Sequence, residues 1–97
     1  MASISYSPRA ASDLLRLVDF LADDDPPAAA ETADLIATAV EALQLHPLLG
    51  RPVESGYREL VISRGRSGYL ALYRYDDARD RILVLAIRHQ REAGYTS

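Results

Sequence analysis

Residues 57–92 read YRELVISRGRSGYLALYRYDDARDRILVLAIRHQRE, three stretches rich in Val, Ile, Leu and Tyr separated by two short polar clusters. Each stretch alternates with the period of two that sends successive side chains to opposite faces of a strand. The clusters Arg64-Gly65-Arg66-Ser67-Gly68 and Asp76-Asp77-Ala78-Arg79-Asp80 can return the chain as hairpins, but are too short for a parallel crossover, which needs about a dozen residues. The pattern therefore predicts an antiparallel meander with strands near 57–63, 68–75 and 81–88. Alternation offers Leu60, Ile62, Leu70, Leu72, Leu83, Leu85 and Ile87 as one apolar layer. The opposite face is mixed: Tyr57, Glu59, Val61 and Ser63, then Tyr69, Ala71, Tyr73 and Tyr75, then Ile82, Val84, Ala86 and Arg88. A slip of one residue exchanges the two faces.

Ahead of the meander the period changes. Ile4 and Tyr6 alternate within residues 3–7, predicting a short strand that joins the edge of the meander. Ser7-Pro8 then supplies an N-cap and a first-turn proline, and Ala11, Leu14, Leu15, Val18, Leu21 and Ala22 recur at helical spacing, predicting a helix over 8–23. Asp23-Asp24-Asp25-Pro26-Pro27 closes that helix and opens the next. Thr32, Leu35, Ile36, Ala39, Val40 and Leu43 mark a second helix over 27–45. Two Pro and a Gly make 46–52 a loop. The predicted fold class is α+β, an N-terminal strand and a two-helix hairpin packed on a small antiparallel sheet, in a single domain spanning 1–97.

Composition narrows the chemistry. With 97 residues, 48% of them hydrophobic, the chain can build one modest core. It has no cysteine, which removes disulfides and thiolate metal sites. No apolar run reaches the roughly 18 residues of a membrane span, and no basic-then-apolar leader is present, so the expected location is cytoplasmic. The triple Asp reads as a set of solvated helix caps rather than metal ligands, and no metal or other cofactor is expected. The formal charge of −3 hides a division: residues 1–50 hold two Arg against eight acids, for −6, and residues 51–97 hold nine Arg against six acids, for +3. All 11 basic residues are Arg, the side chain suited to bidentate contact with carboxylate or phosphate.

Several short segments carry a family likeness: Tyr6-Ser7-Pro8-Arg9-Ala10 leading into a helix, His46-Pro47 with Gly50-Arg51-Pro52, Tyr57-Arg58-Glu59-Leu60, Ser67-Gly68-Tyr69, Leu72-Tyr73-Arg74-Tyr75, and the closing run from Ile82 to His89. In this order and spacing the chain resembles the RelE/ParE superfamily of type II toxin–antitoxin systems, over nearly its whole length. The resemblance implies a toxin neutralised by a cognate antitoxin in a hetero-oligomer. In the ParE-like branch the toxin binds DNA gyrase and traps its cleaved-DNA complex, whereas in the RelE-like branch it cleaves mRNA in the ribosomal A site. A non-toxic relative that keeps only the antitoxin-binding fold is a third reading. For the ribonuclease reading the matching groups are Arg58, His89, Arg91 and Tyr95. Against it, Leu70 stands where many ribonuclease members carry a basic residue after Gly-Tyr, and the Lys pair expected near the first meander strand is absent. The gyrase reading is therefore ranked first.

The candidate target- or antitoxin-binding residues are Arg58, Arg64, Arg66, Arg74, Arg88 and Arg91, because Arg repeated along a sheet calls for anionic partners. An acidic, disordered antitoxin segment that folds on contact would supply them. Each candidate also has a plainer structural reading. His89 at a strand end can serve as a general acid or simply bond the backbone; Arg64 and Arg66 can contact phosphate or face solvent in a turn. Tyr69, Tyr73 and Tyr75 can stack bases or pack their rings with only the hydroxyl wet.

Overall fold

The computed structural model describes residues 1–64, 67–92 and 95, with Arg64 and Ser67 described by backbone alone. Its elements are β1 (Ser3–Tyr6), α1 (Pro8–Ala22), α2 (Pro26–Glu41), β2 (Arg51–Pro52), β3 (Arg58–Arg64), β4 (Ser67–Asp76) and β5 (Arg81–His89). The second helix ends at Glu41 and runs on as a 3₁₀ turn, Ala42–Gln44. Within the predicted loop 46–52, Arg51–Pro52 forms a two-residue strand on β3, where Pro is tolerated because the strand is at the sheet edge.

The sheet runs β1-β5-β4-β3-β2. The meander is antiparallel as expected, but β1 pairs with β5 in parallel, Ser3 opposite Arg81 through Tyr6 opposite Val84, so the sheet as a whole is mixed. Ser7 sets the turn from strand to helix. Its backbone N–H donates to Val84 O at 2.9 Å, its Oγ accepts from Ala10 N at 3.0 Å as the α1 N-cap, and the same hydroxyl donates to Leu85 O at 3.0 Å. Asp25 caps α2 in the same way, Oδ1 accepting from Ala28 N at 3.2 Å.

The two apolar layers sort differently from simple alternation. Leu60 and Ile62 of β3 face the helices as predicted, and their registered partners are Ala71 and Tyr69. Residues directly opposite share a face, so β4 turns Tyr69, Ala71 and Tyr73 to the core and Leu70 and Leu72 away from it. On β5 the register slips: Leu72 is opposite Ala86 and Tyr73 opposite Val84, leaving Leu85 as the extra residue of a β-bulge. The bulge lets Ile82 and Val84 on one side of it and Ile87 on the other all join the core, although their spacing breaks the period of two. Of the predicted layer, Leu60, Ile62 and Ile87 are core residues. Facing them are Ala10 and Leu17 of α1 and Ile36 and Val40 of α2.

Tyr73 and Asp13 bring polar groups into this core. Tyr73 is fully buried, and its hydroxyl donates to Pro47 O and accepts from Gly50 N, both at 2.8 Å, pinning the loop ahead of β2. Asp13, on the buried stripe of α1, accepts from Ile87 N at 3.0 Å through Oδ2, satisfying a strand donor beyond the reach of β1. Arg9 and Arg16 lie 3.8 Å from its two carboxylate oxygens.

Candidate functional site

The sheet face turned away from the helices carries a chain of charged groups centred on Glu59. Glu59 lies opposite Leu72 on this face, and its side chain is 8% exposed. Arg51 of β2 donates to Oε1 from both Nε, at 3.0 Å, and Nη2. On the other side the Tyr95 hydroxyl donates to Oε2 at 2.8 Å, and the Tyr95 ring stacks under the Arg88 guanidinium, 4.9 Å from ring centroid to Cζ. Arg88 also donates through Nη1 to Glu92 O at 2.6 Å. Its Nε is buried and has no hydrogen-bond partner among the described residues.

Burial pushes the Glu59 carboxyl up, but the hydrogen bonds from Arg51 and Tyr95 and the charges of Arg51 and Arg88 outweigh it and hold the group below the ordinary carboxylate value. Burial, together with the bond to Glu59 and its negative charge, drives the Tyr95 phenol far above its ordinary value, against a smaller opposing pull from Arg88. Near neutral pH this network is a carboxylate clamped by cations and a phenol locked in its neutral, donating form.

The other candidate residues are dispersed. Arg58 lies opposite Tyr73 and donates to Gly50 O at 2.8 Å and Leu48 O at 3.3 Å, holding the same loop that Tyr73 pins. His89 lies opposite Tyr69, meets that ring edge-on with centroids 5.3 Å apart, and accepts from Arg91 N at Nδ1, 3.0 Å. His89 and Arg91 line a cleft of about 530 Å³ beside α1, with Leu17, Phe20, Tyr69 and Glu92, and Arg16 closes its rim by pairing with Glu92 at 3.3 Å. Arg74 is exposed on the open face opposite Leu83. The Arg64 side chain and all of Arg66 lie outside the described residues. Tyr69 and Tyr73 are core residues and Tyr75 packs, partly buried, against the core cluster.

Sequence reasoning passed over Arg51, Glu59 and Asp13 as site or core-polar residues. A signal existed for two of them. Glu59 interrupts an apolar β run, and Asp13 sits three residues after Ala10 and four before Leu17, on the buried stripe of a helix. A carboxylate at such a position implies a partner across the fold.

Solved structures share the fold. A chain of the chromosomal ParDE toxin–antitoxin system from P. aeruginosa superposes with a TM-score of 0.78 at 28% identity, covering 92% of this chain and 96% of that one. The fold also matches the toxin–antitoxin complex RelBE2 from Mycobacterium tuberculosis, with a TM-score of 0.61 at 24% identity over 94% of this chain and 93% of that one. The helix pair on one face of a bulged meander is thus the toxin fold of type II toxin–antitoxin systems. Among curated proteins, Toxin RelE3 of Caulobacter vibrioides is 40% identical over 93 residues, 95% of this chain and 98% of the relative, and Toxin RelE1 of the same organism is 38% identical over 72 residues, 74% of this chain and 77% of the relative. The sequence profile of the ParE toxin of type II toxin–antitoxin systems, parDE, matches residues 4–94, and the chain belongs to this family, within the RelE/ParE superfamily.

Proposed function

We propose that this toxin acts by binding rather than by its own chemistry, with DNA gyrase as its target, and that a cognate antitoxin holds it inactive in the cytoplasm. The observation that carries the reading is the separation of the groups a ribonuclease would need. Arg58 and His89 face positions four residues apart along β4, about 13 Å at 3.3 Å per residue. Arg58 is engaged by loop carbonyls, His89 Nδ1 by the Arg91 N–H, and Tyr95 by Glu59. Leu70, standing where a cation would be expected, is 4% exposed. Cleavage through a 2′-OH needs a base, an acid and cations converging on one phosphate.

The ribosome-dependent endoribonuclease reading keeps two observations in its favour: His89 and Arg91 line one cleft, and the curated relatives carry RelE names. A supercoiling assay with purified gyrase, run beside ribosome toeprinting, separates the two. Inhibited supercoiling without A-site cuts is the expected result. A-site cuts that vanish in Arg91→Ala, with gyrase unaffected, would promote the ribonuclease. Neither effect would mark a non-toxic relative.

The antitoxin is expected to lay acidic side chains on the open face near Arg88, as charge complementarity demands once water is excluded. Titration calorimetry of Arg88→Ala against the antitoxin tests this. A change within about 0.5 kcal/mol would mean that Arg88 carries no such contact.

A further inference from the structure

A second group of arginines occupies the open face, at the opposite end of β5 from Arg88. The strand register sets Ser5, Leu83 and Arg74 in one line across β1, β5 and β4, and Ser3, Arg81 and Asp76 in the next line. Arg74 and Arg81 are therefore diagonal neighbours on one face, a separation of about 7–8 Å between backbones. Around them opens a shallow cavity of about 270 Å³ lined by Ser5, Arg74, Asp76, Arg79, Arg81 and Leu83, among others. Asp76 organises its rim, Oδ2 accepting from Arg79 Nη1 and Oδ1 from Arg79 N, both at 3.4 Å. Three guanidinium groups against one carboxylate leave a local charge of three minus one, or +2, in the concavity. Arg74 and Arg81 are exposed, and like charges inside a Debye length of about 8–10 Å raise the free energy of the empty face.

We propose that this concavity is a binding site for a phosphate group, whose oxygens accept from Arg74, Arg81 and the Ser5 hydroxyl, while Asp76 keeps Arg79 in place at the rim. Guanidinium forks match the oxygen spacing of phosphate. The volume falls below the roughly 300–1,000 Å³ of pockets that enclose a drug-sized ligand, which suits a single phosphate and not a nucleoside. An acidic peptide fits less well, because a carboxylate offers two oxygens in one plane and satisfies fewer of the Arg74, Arg81 and Ser5 donors at once than the tetrahedral oxygens of a phosphate. The phosphate is carried by a nucleic-acid backbone or by a free phosphoryl compound. The site shares no residue with the Glu59 network and stands whether or not gyrase is the target.

The test uses the purified chain and Arg74→Ala/Arg81→Ala, with circular dichroism melting to confirm that the variant folds; both residues are exposed. Binding of a fluorescein-labelled DNA duplex of about 20 base pairs is followed by anisotropy at stepped salt, and inorganic phosphate is titrated against amide resonances. For a backbone phosphate, the double variant weakens duplex binding about tenfold at low salt and lowers the salt slope by about two. For a free phosphoryl ligand, inorganic phosphate shifts the amides of Ser5, Arg74, Arg79 and Arg81 in the wild type and not in the variant, and the duplex does not bind. The proposal is overturned if the double variant changes neither measurement, or if a polyglutamate peptide binds more tightly than either phosphate probe with the same dependence on Arg74 and Arg81.

Discussion

At the scale of single residues, the buried polar groups are the sensitive points. Tyr73 bonds two backbone groups through one hydroxyl inside the core, so Tyr73→Phe leaves the Gly50 donor without its acceptor and should lower stability by about 1–3 kcal/mol in urea unfolding. A loss under about 0.5 kcal/mol would show that water replaces the hydroxyl. Gly50 is closely bound to it: a Cβ there would lie 2.6 Å from Tyr73 Cε1 and 3.0 Å from Glu59 O, a backbone atom that cannot step aside, so Gly50→Ala must displace the loop. Glu59 and Tyr95 give stability a pH dependence of opposite sign. The folded-state pKa of Glu59 is depressed, so its contribution is present above the unfolded carboxyl pKa of about 4.3 and is lost as pH falls through the lower folded value. That of Tyr95 is raised, so its contribution is complete below the unfolded phenol pKa of about 10 and fades only as pH climbs further. Glu59→Gln should flatten the acid limb of the stability profile, and Tyr95→Phe the alkaline limb. Unaltered limbs in denaturation profiles would remove the two groups from the linkage.

Among the elements, α1 is tied to β5 at two places by side chains that satisfy backbone groups. Asp13 accepts from Ile87 N. Asp13→Ala should therefore destabilise by about 1–3 kcal/mol and speed hydrogen exchange at the Ile87 amide, while Asp13→Asn, which keeps an oxygen, should do much less. Equal effects of the two substitutions would point to charge, through Arg9 and Arg16, as the cause. Ser7 joins the α1 cap to the bulge at Leu85. Ser7→Ala removes both bonds and is expected to cost about 1–2 kcal/mol, which for a domain of this size is a fall in Tm of roughly 4–16 °C. A thermal melt unchanged by Ser7→Ala would mean that the cap is supplied elsewhere. The bulge matters beyond its own bonds, because it turns Arg88 to the open face while Ile87 enters the core.

For the whole molecule, the sheet divides labour between its faces. One is filled by the core, and the other carries an Arg51–Glu59–Tyr95–Arg88 network at one end and Arg74, Arg79 and Arg81 at the other. A toxin that works by binding across such a surface should tolerate loss of any single proton-transfer group. His89→Gln is accordingly expected to arrest growth on induction to within a few-fold of the wild type, scored by colony counts, whereas a ribonuclease using His89 as acid should lose roughly 10²–10⁴-fold in rate. An inactive His89→Gln, with its fold intact by melting, would reverse the order of the two readings.

The amino-acid pattern by itself determined the order of β1, the two helices and the three meander strands, because period, caps and turn residues are local properties that the chain writes within a few residues; the two-residue β2 lay in a stretch that reads as a loop. It also pointed to the toxin superfamily, through short segments kept in order along the whole length. Tertiary structure alone decided which layer of the meander is the core, because a one-residue bulge at Leu85 changes the parity of β5 without any signal from Gly or Pro, and the β3 register then assigns Tyr69 and Tyr73 inward. It alone decided that β1 runs parallel to β5, since direction depends on where α1 and α2 return the chain and not on the strand's own residues. The site follows the same rule. Arginines are visible in the sequence as charge, but whether each one holds a loop carbonyl, as Arg58 does, stacks on a tyrosine, as Arg88 does, or stands exposed beside another cation, as Arg74 does, depends on contacts between residues distant in sequence, like the Tyr95–Glu59 bond, 36 positions apart, that centres the network.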